Sequence, residues 1–255
     1  MPNLKAFDFN LWDAESLEMS SEETAWPKEN TQDRWKTKTW RATGDTSEYV
    51  RTTGASALQI YGAFVINGNV TASGTVTLNG SSDNWDSINA SLAMTRSTDG
   101  TMYVYLPSAP ITRNDWGVYV ADATNPDGYI SLGRVWLGAY YEEDIGYNPN
   151  VKQWTEHNTI ELEASGGQIS LLEKPDFEKF TFPFDLIKNK TRYDTLISRV
   201  GKKKEFFIVR KPKGYIELDY PTPEDYSNYV RMLKHDEAPV AGTYHRAVWE
   251  LQEER

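Results

Sequence analysis

The sequence predicts a mainly β protein, with an antiparallel β-sandwich or jelly roll followed by a small C-terminal unit that mixes helix and strand. Three observations predict this class. Residues 48–163 contain short runs of β-forming residues separated by turn residues, without a convincing helical pattern. Asn-Gly and Asp-Gly pairs, which suit tight turns, recur between the runs, at residues 67–68, 79–80, 99–100 and 127–128. One stretch, 129–141, is apolar on both sides of a period-two pattern.

Residues 129–141 are predicted to form the central strand of the sandwich. Alternate positions give one face with Ile130, Leu132, Trp136 and Tyr140 and another with Val135, Leu137 and Ala139. A strand that is apolar on both faces belongs in an interior. Gly133 and Gly138 leave room for the close approach of another backbone or of a large ring, and a buried Arg134 requires a carboxylate or several carbonyl groups.

The N-terminal segment, residues 8–39, is polar and acidic and contains few β-branched residues. It is interpreted as long loops pinned to the body by tryptophan rings. Because aromatic side chains are selected at protein interfaces, Trp12, Trp26 and Trp35 are candidates for covering a neighbouring subunit. The first forty residues are therefore predicted to be ordered mainly by partner chains.

The remaining elements follow in chain order. In the first part, strands are predicted over residues 48–53, 57–67, 70–78, 101–106, 116–121, 129–141 and 159–163. A domain boundary is predicted near Gly166-Gly167, which gives domains 1–168 and 169–255. The second part has a helix over 191–200 ending at Gly201, and strands over 179–184, 205–210, 215–220 and 243–252. Residues 222–234 fit a helix or a strand equally well.

Composition limits the function classes. The 255 residues include 13% aromatic residues and no cysteine, so disulfides, thiolate metal sites and cysteine nucleophiles are excluded. The net charge of −10 argues against a general nucleic-acid binder, and the basic run 202–204 is interpreted as a solvated loop. No membrane span and no signal peptide are visible, so a soluble protein without membrane insertion is expected.

Catalytic and metal patterns are weak. His157, His235 and His245 are far apart and lack ligand spacing. The acidic loop 142–144 offers a carboxylate pair for glycoside hydrolysis or, as we favour, a solvated acidic loop. Residues 122–128 resemble a calcium loop, but a β-turn explains them as well. We therefore expect that the protein is not an enzyme and that it binds no cofactor and no metal.

The order of several segments resembles a known family. Trp40-Arg41 closes a polar loop, a strand contains residues 62–67, the run 133–138 follows, and a turn at 165–167 precedes a small unit ending in 248–250. This order resembles tailed-bacteriophage virion proteins in which a galactose-binding-like, discoidin-type jelly roll is followed by a compact α/β extension.

The resemblance implies a structural protein in the virion, at the tail tip, baseplate or fibre-attachment region, made in the host cytoplasm. Its implied partners are other copies of itself and other phage tail proteins.

The runner-up hypothesis is a carbohydrate-binding module that attaches the particle to a host glycan. Where galactose-binding-like folds bind sugar, they use loops at one end of the sandwich, with rings that stack on pyranose faces. Trp85 in a turn-rich loop and Trp116 beside Asp115 are the candidate glycan-binding residues, although each ring also suits a core. A hydrolase that uses the acidic loop is the third hypothesis.

Overall fold

The computed structural model describes residues 3–54, 56–98, 100–143, 147–148, 150–163, 169–201, 204–211, 227–241 and 244–254. Contacts divide the chain into two compact units. The first unit comprises residues 9–140. The second unit combines the described part of residues 1–8 with the described residues after Tyr140.

Nearly all of the described secondary structure is β. In chain order the strands are β1 (Asn3–Phe7), β2 (Ser16–Met19), β3 (Trp40–Arg41), β4 (Glu48–Thr53), β5 (Leu58–Ile60), β6 (Gly62–Ile66), β7 (Thr75–Ser81), β8 (Ala90–Ala93), β9 (Thr95–Arg96), β10 (Met102–Tyr105), β11 (Ile111–Arg113), β12 (Asp115–Ala121), β13 (Ser131–Leu132), β14 (Val135–Gly138), β15 (Tyr141–Glu142), β16 (Lys152–Glu163), β17 (Ile169–Ile187), β18 (Glu205–Lys211), β19 (Ser227–Ala241) and β20 (Tyr244–Glu253). The α-helix α1 spans Lys190–Val200, and short 3-10 helices span Leu11–Ala14 and Lys28–Gln32. None of the helices in the described ranges has the length and apolar character needed to cross a membrane.

The first unit is an antiparallel β-sandwich, as the alternating patterns predict. One layer is a five-stranded sheet in the order β2-β4-β12-β7-β8. The other layer is a four-stranded sheet in the order β14-β6-β10-β9, and the pairs β5–β11 and β3–β13 complete the unit. Inward-facing side chains of both layers, such as Leu78 and Val118 from one and Val65 and Leu137 from the other, form a single hydrophobic core.

The middle of the predicted central stretch 129–141 lies in the interior, whereas Ala139 is exposed. The residues from Gly133 to Gly138 are buried, and β14 pairs with β6 from Val135↔Val65 to Gly138↔Gly62. The buried Arg134 donates to the carbonyl oxygen of Gln32 and to Oδ2 of Asp13, at 2.5 Å for the carboxylate. Unlike the single strand predicted, the stretch is divided into β13, β14 and β15, and β15 belongs to the second unit.

The prediction of a turn at Asn79-Gly80 is wrong, because both residues lie within β7. Gly80 serves close packing instead: a Cβ atom there would lie 3.0 Å from Cζ3 of Trp116. The chain turns after β7, where Asn84 and Trp85 have positive φ values of 54° and 70°. The other predicted turns contain left-handed residues, with φ of 60° at Asn67, 75° at Gly100 and 70° at Gly128.

The second unit is a seven-stranded sheet in the order β15-β1-β18-β19-β20-β17-β16, with one helix. Helix α1 matches the prediction over 191–200: the Asn189 side chain accepts from the N–H of Arg192 at 3.0 Å, and Gly201 ends it with φ of 51°. Tyr193 of α1 accepts a hydrogen bond from Nε1 of Trp249 at 2.9 Å. The predicted strand with Phe180, Phe182 and Phe184 is part of β17, and all three rings are buried.

Several further predictions concern this unit. The ambiguous segment 222–234 is a strand where it is described, because β19 begins at Ser227. The predicted strands over 205–210 and 243–252 correspond to β18 and β20, with Thr243 outside the described residues. The predicted strand over 215–220 also lies outside them, as do Lys202 and Lys203.

The boundary between the units was predicted at Gly166-Gly167, which lies outside the described residues. The contacts instead place boundaries after residues 8 and 140. The strands on either side of Gly166-Gly167, β16 and β17, pair with each other. Strand β1 pairs with both β15 and β18, so the N-terminal strand belongs to the same sheet as the C-terminal part of the chain. In sequence, therefore, the sandwich is inserted between the first two strands of the second unit.

Candidate ligand-binding surface

One end of the sandwich gathers long connections with aromatic and charged side chains. Because neighbouring strands are antiparallel, the start of β4, the end of β12 and the start of β7 lie at the same end. The segments that adjoin this end are residues 20–47, 67–74 and 122–134, and we call it the loop end. Loops supported by a rigid sandwich are a common location for binding residues.

At the loop end, the Arg41 guanidinium lies between two aromatic rings. Its central carbon is 4.7 Å from the ring centre of Trp26 and 4.0 Å from that of Tyr129. Nη1 of Arg41 is 3.4 Å from Oε2 of Glu23. Both rings are half-buried, so parts of their surfaces face solvent. The cation attracts both ring faces and holds the two rings in fixed positions.

Backbone hydrogen bonds explain why these residues meet. Arg41 lies in β3, where it pairs with Ser131 of β13, two residues after Tyr129. Its N–H donates to the carbonyl of Trp26 at 3.0 Å, and its carbonyl accepts from the N–H of Glu23 at 2.9 Å. The turn that carries Glu23 and Trp26 is thus paired with β3 on one side, while β13 and Tyr129 lie on the other.

Trp35 presents the most open ring of the loop end, with 53% of its surface exposed. The Arg34 guanidinium stacks on this ring at 4.6 Å. The Trp35 N–H donates to Oδ1 of Asp33 at 2.8 Å, and Asp33 also forms a 2.6 Å ion pair with Lys38. Burial by itself would raise the pKa of Asp33, but the hydrogen bonds from Lys38 and the Trp35 N–H outweigh it and place the pKa below its usual value.

A single turn ties the two aromatic groups to the sandwich. Nδ2 of Asn67 donates to the carbonyl of Lys36 at 2.6 Å, next to Trp35. Nδ2 of Asn69 donates to the carbonyl of Tyr129 and to Oδ2 of Asp127, both at 2.9 Å. Since Asn67 and Asn69 belong to one turn, the segments with Trp35 and Tyr129 are held by the same support.

The predicted calcium alternative at 122–128 is a hydrogen-bonded turn in the structure. The Asp122 carboxylate accepts from the N–H of Thr71 at 2.7 Å and from its hydroxyl at 2.9 Å. The N–H of Gly128 donates to the carbonyl of Asn125 at 3.1 Å, which closes the turn. Among the described residues, no group of three His, Asp or Glu side chains has a metal-holding arrangement.

Two of the three predicted glycan-binding residues lie inside the protein. Trp116 is fully buried, and its Nε1 donates to the carbonyl of Leu58 at 3.2 Å. Asp115 is also buried. The prediction that they form a sugar platform is therefore corrected, because a ring enclosed by the core has no face for a ligand.

Trp85 lies near the surface but packs on the sheet. Its ring is half-buried, its Nε1 donates to the carbonyl of Thr52 at 2.8 Å, and the Arg51 guanidinium is 4.7 Å from its centre. The Tyr119 ring is 6.0 Å away. Trp85 follows β7 at the opposite end of the sandwich from the loop end, so it does not join Trp26 and Trp35.

The three tryptophans predicted at an interface differ in their exposure to solvent. Trp12 is fully buried, and its Nε1 donates to the Thr31 hydroxyl at 3.0 Å. Trp40 donates to the carbonyl of Ser21 at 3.1 Å. Trp12 and Trp40 thus belong to the sandwich core of their own chain, and residues 3–7 form β1 of the second unit. These contacts within one chain correct the expectation that partner chains mainly order the first forty residues. Trp26 and Trp35 remain at the surface.

Glu143 of the acidic loop and two of the three histidines have polar partners in the structure. Glu143 is buried and accepts from the N–H of Lys188 at 2.7 Å and from the Tyr141 hydroxyl. Burial and the Glu143 carboxylate both raise the pKa of Tyr141. His157 and His245 each lie beside one carboxylate, at 2.9 Å and 2.7 Å. Asp144 is outside the described residues.

Sequence reasoning missed Arg41 and Tyr129 as site residues. Arg41 follows a core tryptophan in a polar loop, and Tyr129 precedes the central stretch, so each has only a local context in the sequence. Their contact depends on the pairing of β3 with β13 across about ninety residues. The run of tryptophans in the N-terminal segment was the one signal that pointed to this end.

Comparisons with known proteins find similar solved structures only. No protein-family model matches the chain, and no curated protein matches it. A family 32 carbohydrate-binding module of Clostridium perfringens NanJ, solved with galactose, is 11% identical with a TM-score of 0.41, over 52% of this chain and 98% of the module. A Streptococcus pneumoniae fucose-binding module is 12% identical with a TM-score of 0.42, over 51% and 95%. A chitosan-binding module of Paenibacillus sp. IK-5, solved with chitotriose, is 18% identical with a TM-score of 0.40, over 49% and 96%. These likenesses assign no family, and the β-sandwich rests on the two sheets described above.

Proposed function

We propose that the sandwich unit binds carbohydrate through its loop end. The observation that carries this proposal is the exposed ring of Trp35, stacked on Arg34, at the same end as the stack of Trp26, Arg41 and Tyr129. An open indole face suits the apolar C–H face of a pyranose ring, because both surfaces lose unfavourable contact with water.

The polar groups beside these rings suit sugar hydroxyls. Glu23 and Asp127 offer carboxylate oxygens as acceptors, and Arg34 and Arg41 offer N–H donors. The hydrogen bonds from Asn67 and Asn69 hold the supporting loops in place, so binding requires little ordering of the chain. Rings that fix a sugar by stacking and polar groups that select its hydroxyls are the two parts that a carbohydrate site needs.

The proposal predicts that Trp35→Ala lowers sugar affinity at least about tenfold, since removing a stacked ring loses more than about 1.4 kcal/mol. The measurement is a glycan array with the purified chain, followed by titration calorimetry with the best ligand. Tyr244→Ala is the matched control, because Tyr244 is an exposed aromatic residue, at 42%, but lies in the second unit. An array without a selective signal, or equal affinity for both variants, would rule the proposal out.

A second candidate function is that of a structural component of a bacteriophage virion in the tail tip, baseplate or fibre-attachment region. The observation that favours it is the second unit: a seven-stranded sheet with long strands, 19 residues in β17, into which the sandwich is inserted in sequence. Such a layout suits a binding unit carried by an assembly unit, and the order of segments resembles that of phage tail proteins. The partners would be other copies and other tail proteins.

Location in a density map of purified phage particles tests this second function. We expect density for the seven-stranded sheet in contact with neighbouring tail proteins, in several copies per particle. If antibodies against the chain label no particle and mass spectrometry of purified virions lacks its peptides, the virion assignment is refuted, whereas the sugar-binding result stands independently. We propose that neither role includes catalysis, since Glu143 of the acidic loop is engaged by Tyr141 and Lys188.

A further inference from the structure

Strand β16 is an outer edge of the seven-stranded sheet, with β17 as its only neighbour among the described strands. Its residues 152–155 are exposed, and Trp154 has 43% of its surface in solvent. Natural edge strands are usually short, interrupted by proline or covered, because free N–H and C=O groups pair with other chains. Strand β16 has 12 residues without proline.

This edge has two regular parts, residues 152–156, which are centred on Trp154, and residues 158–163. Pairing with β17 is continuous from Lys152 to Glu156, and the register then shifts before Asn158. A register shift bends the strand and interrupts the edge. Of these two parts, residues 152–156 carry the exposed side chains of residues 152–155, so this segment is the one that we consider for pairing with another strand.

We propose that this segment pairs with the same segment of a second copy, antiparallel and in register about Trp154. A two-fold axis through Trp154 places Lys152 opposite Glu156 of the other copy, twice, and Gln153 opposite Thr155. Cross-strand pairs of opposite charge and of aromatic rings stabilise antiparallel pairing. The segment Lys-Gln-Trp-Thr-Glu is thus complementary to itself, which is what an isologous interface requires.

The existing contacts of these side chains are compatible with such pairing. Lys152, Trp154 and Glu156 alternate along the strand and share one face of the sheet. Glu156 already forms an ion pair with Lys179 of β17, but its side chain is 43% exposed, so its carboxylate stays accessible to a second cation. The opposite edge of the sheet, β15, has two residues and offers little backbone for pairing.

Reciprocal charge reversal tests the register. In Lys152→Glu, both charge pairs of the dimer become Glu opposite Glu, and in Glu156→Lys both become Lys opposite Lys. We expect each variant alone to dimerise at least tenfold more weakly than the unchanged chain in analytical ultracentrifugation. An equimolar mixture restores both pairs and is expected to form the mixed dimer. The proposal is overturned if the unchanged chain stays monomeric up to about 100 μM or if the mixture does not associate.

Cross-linking provides a second test, which does not depend on charge. The chain has no cysteine, so a single introduced thiol is unique. In the proposed dimer, residues 154 of the two copies face each other about 4.5–5.5 Å apart between Cα atoms, which suits a disulfide. The Cα atoms of residues 152 of the two copies are about 14 Å apart. Oxidation is expected to cross-link Trp154→Cys and not Lys152→Cys. Equal cross-linking of both, or of neither, contradicts this register.

Discussion

Trp35 and Trp116 share a side chain but lie in opposite environments. Trp116 is in β12, the middle strand of the five-stranded sheet, and points into the core, whereas Trp35 lies in a loop that is held by Asp33 and Lys38. Hydropathy does not distinguish an exposed ring from a buried one. Trp116 is buried because its strand lies in the middle of a sheet, and that position depends on partner strands far away in sequence.

The glycines of the central stretch were predicted from sequence to leave room for another backbone or for a large ring, and in the structure the neighbours are backbones. A Cβ atom on Gly138 would lie 2.4 Å from the carbonyl oxygen of Phe9, and one on Gly133 would lie 2.6 Å from the carbonyl oxygens of both Ile66 and Lys36. These are backbone atoms, which do not move aside as a flexible side chain does. Two glycines in an apolar strand were sufficient to predict a close approach, but not whether a backbone or a ring approaches, nor which one.

Gly133→Ala is predicted to destabilise the sandwich unit by about 1–3 kcal/mol, because the added methyl group overpacks the interior. The measurement is urea unfolding followed by tryptophan fluorescence. Ala139→Ser is a suitable control, since Ala139 is exposed nearby and surface changes usually stay within about 0.5 kcal/mol. Equal urea midpoints for the two variants would show that the loop carrying Lys36 moves away without loss of stability.

Elements were predictable where local sequence determines them. Helix α1 has its apolar residues at helical spacing and a glycine at its end, and both signals act within a few residues. The Asn79-Gly80 pair shows the limit of local signals. Asn-Gly is typical of a tight turn, yet here the glycine lets β7 pass close to the Trp116 ring. The same two residues thus serve a turn or a packed strand, and the neighbouring strand decides between them.

The pairing of β1 with β18 places the N-terminal strand and a strand of the C-terminal part in one sheet. These strands are about two hundred residues apart, and no local pattern in the first eight residues indicates a C-terminal partner. The sequence did show a change in character, from β-sandwich to mixed structure, after the central stretch. It could not show that β15 and β16 already belong to the second sheet, because β-forming runs look alike in both units.

This organisation predicts which fragments of the chain fold. The whole hydrophobic core of the sandwich, from Trp12 to Leu137, lies within residues 9–140, so that fragment is expected to fold alone, unfold cooperatively and keep its sugar affinity. A fragment of residues 1–168 instead retains β1, β15 and β16 but lacks β17 and β18, with which β16 and β1 pair. Its exposed strand edges are expected to cause aggregation.

Size-exclusion chromatography and circular dichroism of the two fragments compare them directly. If the 1–168 fragment were monomeric and unfolded cooperatively while the 9–140 fragment were unfolded, the sandwich would need β1, β15 and β16 in order to fold. The prediction that residues 9–140 fold alone would then be wrong.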